Sequence, residues 1–195
     1  DTWDGQGMSA NLGGNNYVIV SDGSTESTFD GGSAFSITTW VKGWPNGGWE
    51  PYISKRGEGG QGWQLRRRAG SGDQISLTMR GPGNDDWYVN TGNVGDGNWH
   101  HLAANWGGGK RNVYIDGALA GEKNQSGTIN ATGSQLMFGA YDNSGNANNG
   151  LQVQRASSTF LDDIRIYSSP LTASDVTAIY NNGKGDLTRP RPKPE

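Results

Sequence analysis

The side chains with the most chemistry to offer are cationic and aromatic. Arg66, Arg67 and Arg68 run consecutively behind Gln64. In an extended strand Gln64, Arg66 and Arg68 share one face, with neighbours on that face about 7 Å apart. The next run, residues 74–80 (QISLTMR), turns Ile75, Leu77 and Met79 one way and Gln74, Ser76, Thr78 and Arg80 the other. Guanidinium groups make paired hydrogen bonds to sulfate or carboxylate groups, and aromatic rings offer flat faces to sugar rings. Trp40 stands opposite the aliphatic side of residues 34–42 (AFSITTWVK), and His101 stands opposite Leu102 and Ala104. If these outward faces belong to one hollow, Trp40, Arg66, Arg68, Arg80 and His101 form a groove for an anionic polysaccharide, with Trp87 as a rim aromatic. The plainer alternative is a solvated arginine edge and a Trp40 packed beneath a loop. Three adjacent arginines in a chain of net charge -3 do not suggest a nucleic-acid partner.

The elements that must position these residues are short strands. Asp96 to Gly117 (DGNWHHLAANWGGGKRNVYIDG) contains an alternating run from Trp99 to Trp106, a glycine turn at 107–110, and a second run, Val113 to Ile115. Period-two alternation on both sides of a glycine turn is the pattern of a β-hairpin. Further strands are expected within residues 8–20 (split by Gly13-Gly14), 34–42, 52–55, 62–68, 74–80, 87–91, 135–140 and 159–167, with a long polar loop from Tyr141 to Gly150. One helix is expected after Pro170, N-capped by Thr172 with Asp175 three residues on and ended by Gly183. With 33 Gly and only 32% hydrophobic residues among 195, the composition suits strands and turns rather than a helical bundle. The expected fold is all-β: a two-sheet antiparallel β-sandwich with one short C-terminal helix, spanning residues 1–187 as one domain. Residues 188–195 (TRPRPKPE) read as a Pro-rich linker or tail, which suggests a module of a longer multidomain protein. The absence of cysteine excludes disulfides and thiolate metal sites. No run of about 18 apolar residues is present, so no membrane span is expected.

Four segments in order, FSITTWVK, DGNWHHLAANW, RNVYIDGALAG and FLDDIRIYSSPLTASDVTAIY, resemble the laminin-G-like branch of the concanavalin A-like lectin/glucanase superfamily. The likeness covers roughly residues 8–182; Arg66-Arg67-Arg68 and the Asn-rich stretch at 142–149 lie outside the shared pattern. It implies a jelly roll of two antiparallel sheets, one concave, on which lectins, carbohydrate-binding modules, hydrolases, lyases and protein-binding modules are all built. The superfamily's hydrolases carry Glu-x-Asp-x-x-Glu on one strand, and that spacing does not occur here. A polysaccharide lyase with His101 or Tyr114 as proton carrier and Arg66 or Arg68 neutralising a uronate is an alternative, although the lyases' Gln-x-His motif is missing. A protein-binding adhesin module is the other alternative. The likeness also implies one structural calcium at Asp162, with Asp22, Asp30 or Asp4 as further oxygen donors. The resulting expectation is a secreted, extracellular, non-catalytic carbohydrate-binding module that binds an anionic polysaccharide, sulfated or uronate-containing, on the concave sheet.

Overall fold

The computed structural model describes residues 8–13, 16–20, 29, 32–43, 51–56, 61–68, 74–81, 87–92, 94–131, 134–142, 153–154 (backbone only) and 159–183. Fourteen short strands are assigned among them. They are β1 (Ala10–Asn11), β2 (Val18–Val20), β3 (Phe35–Lys42), β4 (Pro51–Arg56), β5 (Gly62–Arg67), β6 (Gln74–Met79) and β7 (Val89–Asn90). The chain continues with β8 (Trp99–Gly107), β9 (Lys110–Ile115), β10 (Ala118–Asn124), β11 (Leu136–Phe138), β12 (Tyr141–Asp142), β13 (Val153–Gln154) and β14 (Phe160–Tyr167). One helix, α1 (Ala173–Gly183), follows. The first sheet has the order β1-β14-β3-β8-β9-β10 and the second β2-β11-β4-β5-β6-β7, every neighbouring pair antiparallel. The expected sandwich and C-terminal helix are both present.

Alternation decides what enters the core. Phe35, Ile37 and Val41 of β3 and Leu102, Ala104 and Trp106 of β8 meet Ile53, Trp63, Leu65, Ile75, Leu77 and Met79 of the second sheet in one buried cluster. Arg111 of β9 also points inward and is fully buried. Its Nη1 donates to the Leu77 carbonyl at 2.8 Å, joining the two sheets, and its guanidinium lies 4.9 Å from the Trp87 ring centroid. Lys55, equally buried, donates to the Ser134 carbonyl at 2.9 Å. A charged end turned into the core is tolerated only where such acceptors meet it.

The β8–β9 hairpin expected from the sequence is present. β10 then extends it, joined to β9 by the Asp116-Gly117 turn, where φ is 50° and 79°. Positive φ at both central residues matches the right-handed twist of the strands, hence the Asp-Gly pair. β10 was not foreseen, because ALAGEKN alternates poorly and exposes most of its side chains. The stretch expected to be wholly loop from Tyr141 contributes β12, paired with β13. At α1 the Thr172 amide donates to Asp175 Oδ2 at 2.9 Å and the Asp175 amide to Thr172 Oγ1 at 3.1 Å, a reciprocal cap. The Thr172 hydroxyl also donates to Asp175 Oδ2 at 2.7 Å, and this bond foremost, with that from the Thr172 amide, holds the Asp175 carboxyl below the usual carboxylate range.

Candidate ligand-binding face

The outer face of the second sheet is where the arginines collect. Along β5 and the residue after it, Gly62, Gln64, Arg66 and Arg68 fall on that face, because Trp63 and Leu65 fill the core. Register puts Arg56 of β4 and Arg80, just beyond β6, on either side of Gly62, since Gly62 pairs with Arg56 and its carbonyl accepts from the Arg80 amide at 2.9 Å. The next row is Ser54, Gln64 and Thr78, and the next brings Arg66 beside Ser76. Gln74 lies across from Asn90, whose amide oxygen it bonds at 2.8 Å. Residues 51–56, 62–68 and 74–80 contain no Asp or Glu. Gln64, Arg66, Ser76 and Thr78 form a buried floor, while Arg56, Arg68, Arg80, Tyr88 and Tyr141 are half-buried around it.

Aromatic rings brace these arginines. The Arg68 guanidinium lies 3.5 Å from the Tyr88 ring centroid, and its Nη1 donates to Gln74 Oε1 at 3.1 Å. Arg56 sits 5.0 Å from the Tyr141 centroid. Nη1 of Arg56 and Nη1 of Arg66 both approach Gln64 Oε1, each at 3.4 Å. Two guanidinium groups thus converge on one neutral acceptor.

Of the six residues expected to line one hollow, the structure brings together Arg66, Arg68 and Arg80. Trp40 and His101 are a correction. They do face outward, but from the first sheet, where they pair across β3 and β8 beneath α1. Trp40 is 3% exposed and stacks on Tyr180 of α1 with centroids 5.7 Å apart; the His101 ring is 5.3 Å from Trp40. Burial pushes the His101 pKa down to about 4, against the pull of Asp116 and Asp163. Trp87 is a second correction. Register with β6 sets it opposite Leu77, so its ring turns to the core and Arg111, and Tyr88 takes the outward position. The sequence held that signal: Val89 is a core residue, and alternation from it sends Trp87 inward and Tyr88 outward. Arg56 was likewise legible, since Ile53 inward implies Ser54 and Arg56 outward.

His101 and Tyr114, the lyase candidates, lie on the outer face of the first sheet, and Arg66 and Arg68 on that of the second. The four residues therefore do not meet in one site. Asp4, Asp22 and Asp30 lie outside the described residues. Asp162 sits at a bulge of β14, its Oδ1 accepting from the Asp163 amide at 2.8 Å and its carbonyl from the Thr39 hydroxyl at 3.1 Å. Among the described residues no group of three or more His, Asp or Glu could hold a metal ion.

The Asp-Gly-x-Trp-His-His motif has a structural task here. His100 Nδ1 is 2.8 Å from Asp116 Oδ2 and Nε2 is 3.2 Å from Asp96 Oδ1, so one ring joins two turns. Asp116 Oδ1 also accepts from the His101 amide at 2.9 Å. Burial works to lower the His100 pKa, but the two carboxylates outweigh it and the net shift is upward. The motif therefore ties the β9–β10 turn in place, and α1 then packs on that turn through Thr177 Oγ1, which donates to the Gly117 carbonyl at 3.0 Å.

A family model described as the concanavalin A-like lectin/glucanases superfamily, of laminin-G type, matches residues 12–177. The chain belongs to that superfamily. Comparison with curated proteins gives no match. Among solved structures, the binding domain of Paraclostridial Mosquitocidal Protein 1 is similar with a TM-score of 0.59 at 16% identity, over 89% of this chain and 42% of that one. Domain 4 of the extracellular arabinanase AbnA of Geobacillus stearothermophilus, in complex with arabinotriose, gives 0.55 at 17% identity over 77% and 68%. The binding domain of botulinum neurotoxin DC in complex with SialylT gives 0.55 at 17% over 86% and 39%. The chain thus spans less than half the length of the two toxin binding domains. At these identities the likeness carries the fold. Among the described residues no helix is long and apolar enough to cross a membrane.

Proposed function

We propose that this chain is a non-catalytic carbohydrate-binding module that takes an anionic polysaccharide, sulfated or uronate-containing, on the outer face of its second sheet. One observation carries the reading: Arg56, Arg66, Arg68 and Arg80 share a face whose strands hold no carboxylate, with Tyr88 and Tyr141 beside them. Guanidinium forks bind sulfate or carboxylate groups in pairs, and tyrosine rings lie against sugar rings. Similar folds are recorded with an oligosaccharide, arabinotriose in one and SialylT in another, which supports a binding role for this one. A secreted setting within a longer polypeptide belongs to the same reading, supported by the extracellular arabinanase whose domain it resembles.

The test is a glycan array run at two salt concentrations with the native protein, Arg68→Ala and Arg66→Ala. Binding to charged polysaccharides that weakens with salt and drops in both variants supports the reading, since exposed charges are screened over about 10 Å at 0.1 M salt. Binding unchanged in both variants overturns it. If the array stays blank and a protein is captured even after polysaccharide removal, the module is a protein-binding adhesin instead.

A further inference from the structure

Two arginines of this sandwich are held in opposite ways. Arg165 of β14 donates through Nε and Nη2 to the two carboxylate oxygens of Asp163, at 2.9 and 2.8 Å, so its charge is already matched. Arg68 is held by neutral groups. Its backbone amide donates to the Gln74 carbonyl at 3.0 Å, which aligns the two residues at the end of β5 and β6, and register carries the row on to Asn90 of β7. Along that row Gln74 Nε2 donates to Asn90 Oδ1 at 2.8 Å, and Arg68 Nη1 donates to Gln74 Oε1 at 3.1 Å. The bond to Asn90 turns the oxygen end of the Gln74 amide toward the arginine. Tyr88, two residues before Asn90 and on the same outward side, lies against the guanidinium, 3.5 Å from its ring centroid. Among the described residues Arg68 has no carboxylate partner.

Resting on the anionic-polysaccharide reading, we infer that Tyr88, Gln74 and Asn90 are positioning residues, which hold the Arg68 guanidinium in place while leaving its charge for an anionic group of the ligand. A mobile arginine loses rotamer freedom when it binds, and that loss is subtracted from affinity. A ring against the guanidinium and an amide oxygen on one of its nitrogens restrict Arg68 before the ligand arrives, so less is lost on contact. Neither group is charged, so neither competes with a sulfate or carboxylate as an ion-pair partner. Arg68, Gln74 and Tyr88 are all partly exposed, which keeps the row within reach of solvent. The ring face that the guanidinium covers is closed to a sugar, and Tyr88 therefore contributes through Arg68.

Calorimetry with dextran sulfate, carboxymethyl-dextran and plain dextran tests this, with each variant's affinity referred to its folded fraction from a thermal melt. On the charged polymer that the native protein binds more tightly, Tyr88→Leu should weaken binding about 3- to 10-fold, the cost of immobilising one long side chain. Tyr88→Phe keeps the ring and should recover most of that loss. In an Arg68→Ala background Tyr88→Leu should add nothing, since the two residues act as one unit. Gln74→Glu keeps the shape but sets a carboxylate against Arg68, and should weaken binding as much as Arg68→Ala does. The positioning role is overturned, and the anionic reading stands, if charged polymers are preferred but Arg68→Ala or Tyr88→Leu binds them like the native protein. The same holds if Tyr88→Leu weakens binding equally in both backgrounds, because the ring would then touch the sugar itself. No preference for either charged polymer over plain dextran overturns both.

Discussion

The outer faces of the two sheets arise from the same alternation and were given opposite contents. On the first sheet, Ser36, Thr38, Trp40, His101, Ala103 and Tyr114 look away from the core, and α1 covers part of this face with Val176 and Tyr180. Side-chain bonds seal the approach to the helix: Ser36 Oγ donates to the Ser169 carbonyl and accepts from the Leu171 amide, each at 2.8 Å, and Asn105 Nδ2 donates to the Leu171 carbonyl. On the second sheet the equivalent positions carry Arg56, Gln64, Arg66, Ser76 and Thr78, with Arg68 and Arg80 beside them. One face is a second small core beneath a helix; the other gathers guanidinium and amide groups. An outward position on a strand is therefore no guide to function until its covering is known.

The comparison can be broken from either side. Trp40→Ala should cost about 3–5 kcal/mol of stability, the range for removing a large buried aromatic, and leave affinity per folded molecule unchanged. A thermal melt beside a binding isotherm decides this, and lost affinity in the folded variant would put Trp40 back in the binding site. The next effect is pH. His101 titrates at about 4 folded and at an ordinary 6.5 unfolded. Between those values the unfolded state binds the proton more readily, so this stability is fully present above 6.5 and is lost as pH falls toward 4. The loss is on the order of 3 kcal/mol. His100 acts in the opposite sense: its raised pKa lends stability that is present below 6.5 and lost as pH rises through the folded value. Denaturant melts across pH 4–7 should show the slope in the native protein and a flattened one in His101→Phe.

A smaller effect is expected on the arginine face. Arg68→Ala should weaken charged-polysaccharide binding roughly 10-fold, one charge-assisted bond, while shifting stability by less than about 1 kcal/mol, since the side chain is half-buried and held by Tyr88 and Gln74. A melt that collapses with unchanged affinity would make this face structural as well. Smallest of all is the response to calcium. If Asp162 contributes to a calcium site, adding the ion raises the melting temperature and Asp162→Ala removes the rise; no rise in the native protein ends that expectation.

Much of this was legible in residue order alone. Leu77, Met79, Ile37 and Leu102 declared the core faces by alternation, Thr172 and Asp175 the helix start, and the glycine turn the central hairpin. The same alternation correctly sent Trp40, His101, Arg66, Arg68 and Arg80 outward. Trp87 was expected at the rim of the site, whereas alternation counted from Val89 sends it inward and Tyr88 outward, and the count from Ile53 sends Arg56 outward. β10 escaped because an exposed strand has no apolar rhythm to betray it.

What the chain determined locally is which side of its own strand each residue occupies, because side-chain direction follows from a two-residue repeat. Which sheet that strand joins depends on pairings between segments far apart in sequence, such as β3 with β8 and β14. Those long-range pairings put Trp40 under a helix formed some 140 residues later, and Arg66 on the far side of the sandwich. No local pattern carries that information, since the free energy that selects it comes from burying both sheets' apolar faces at once.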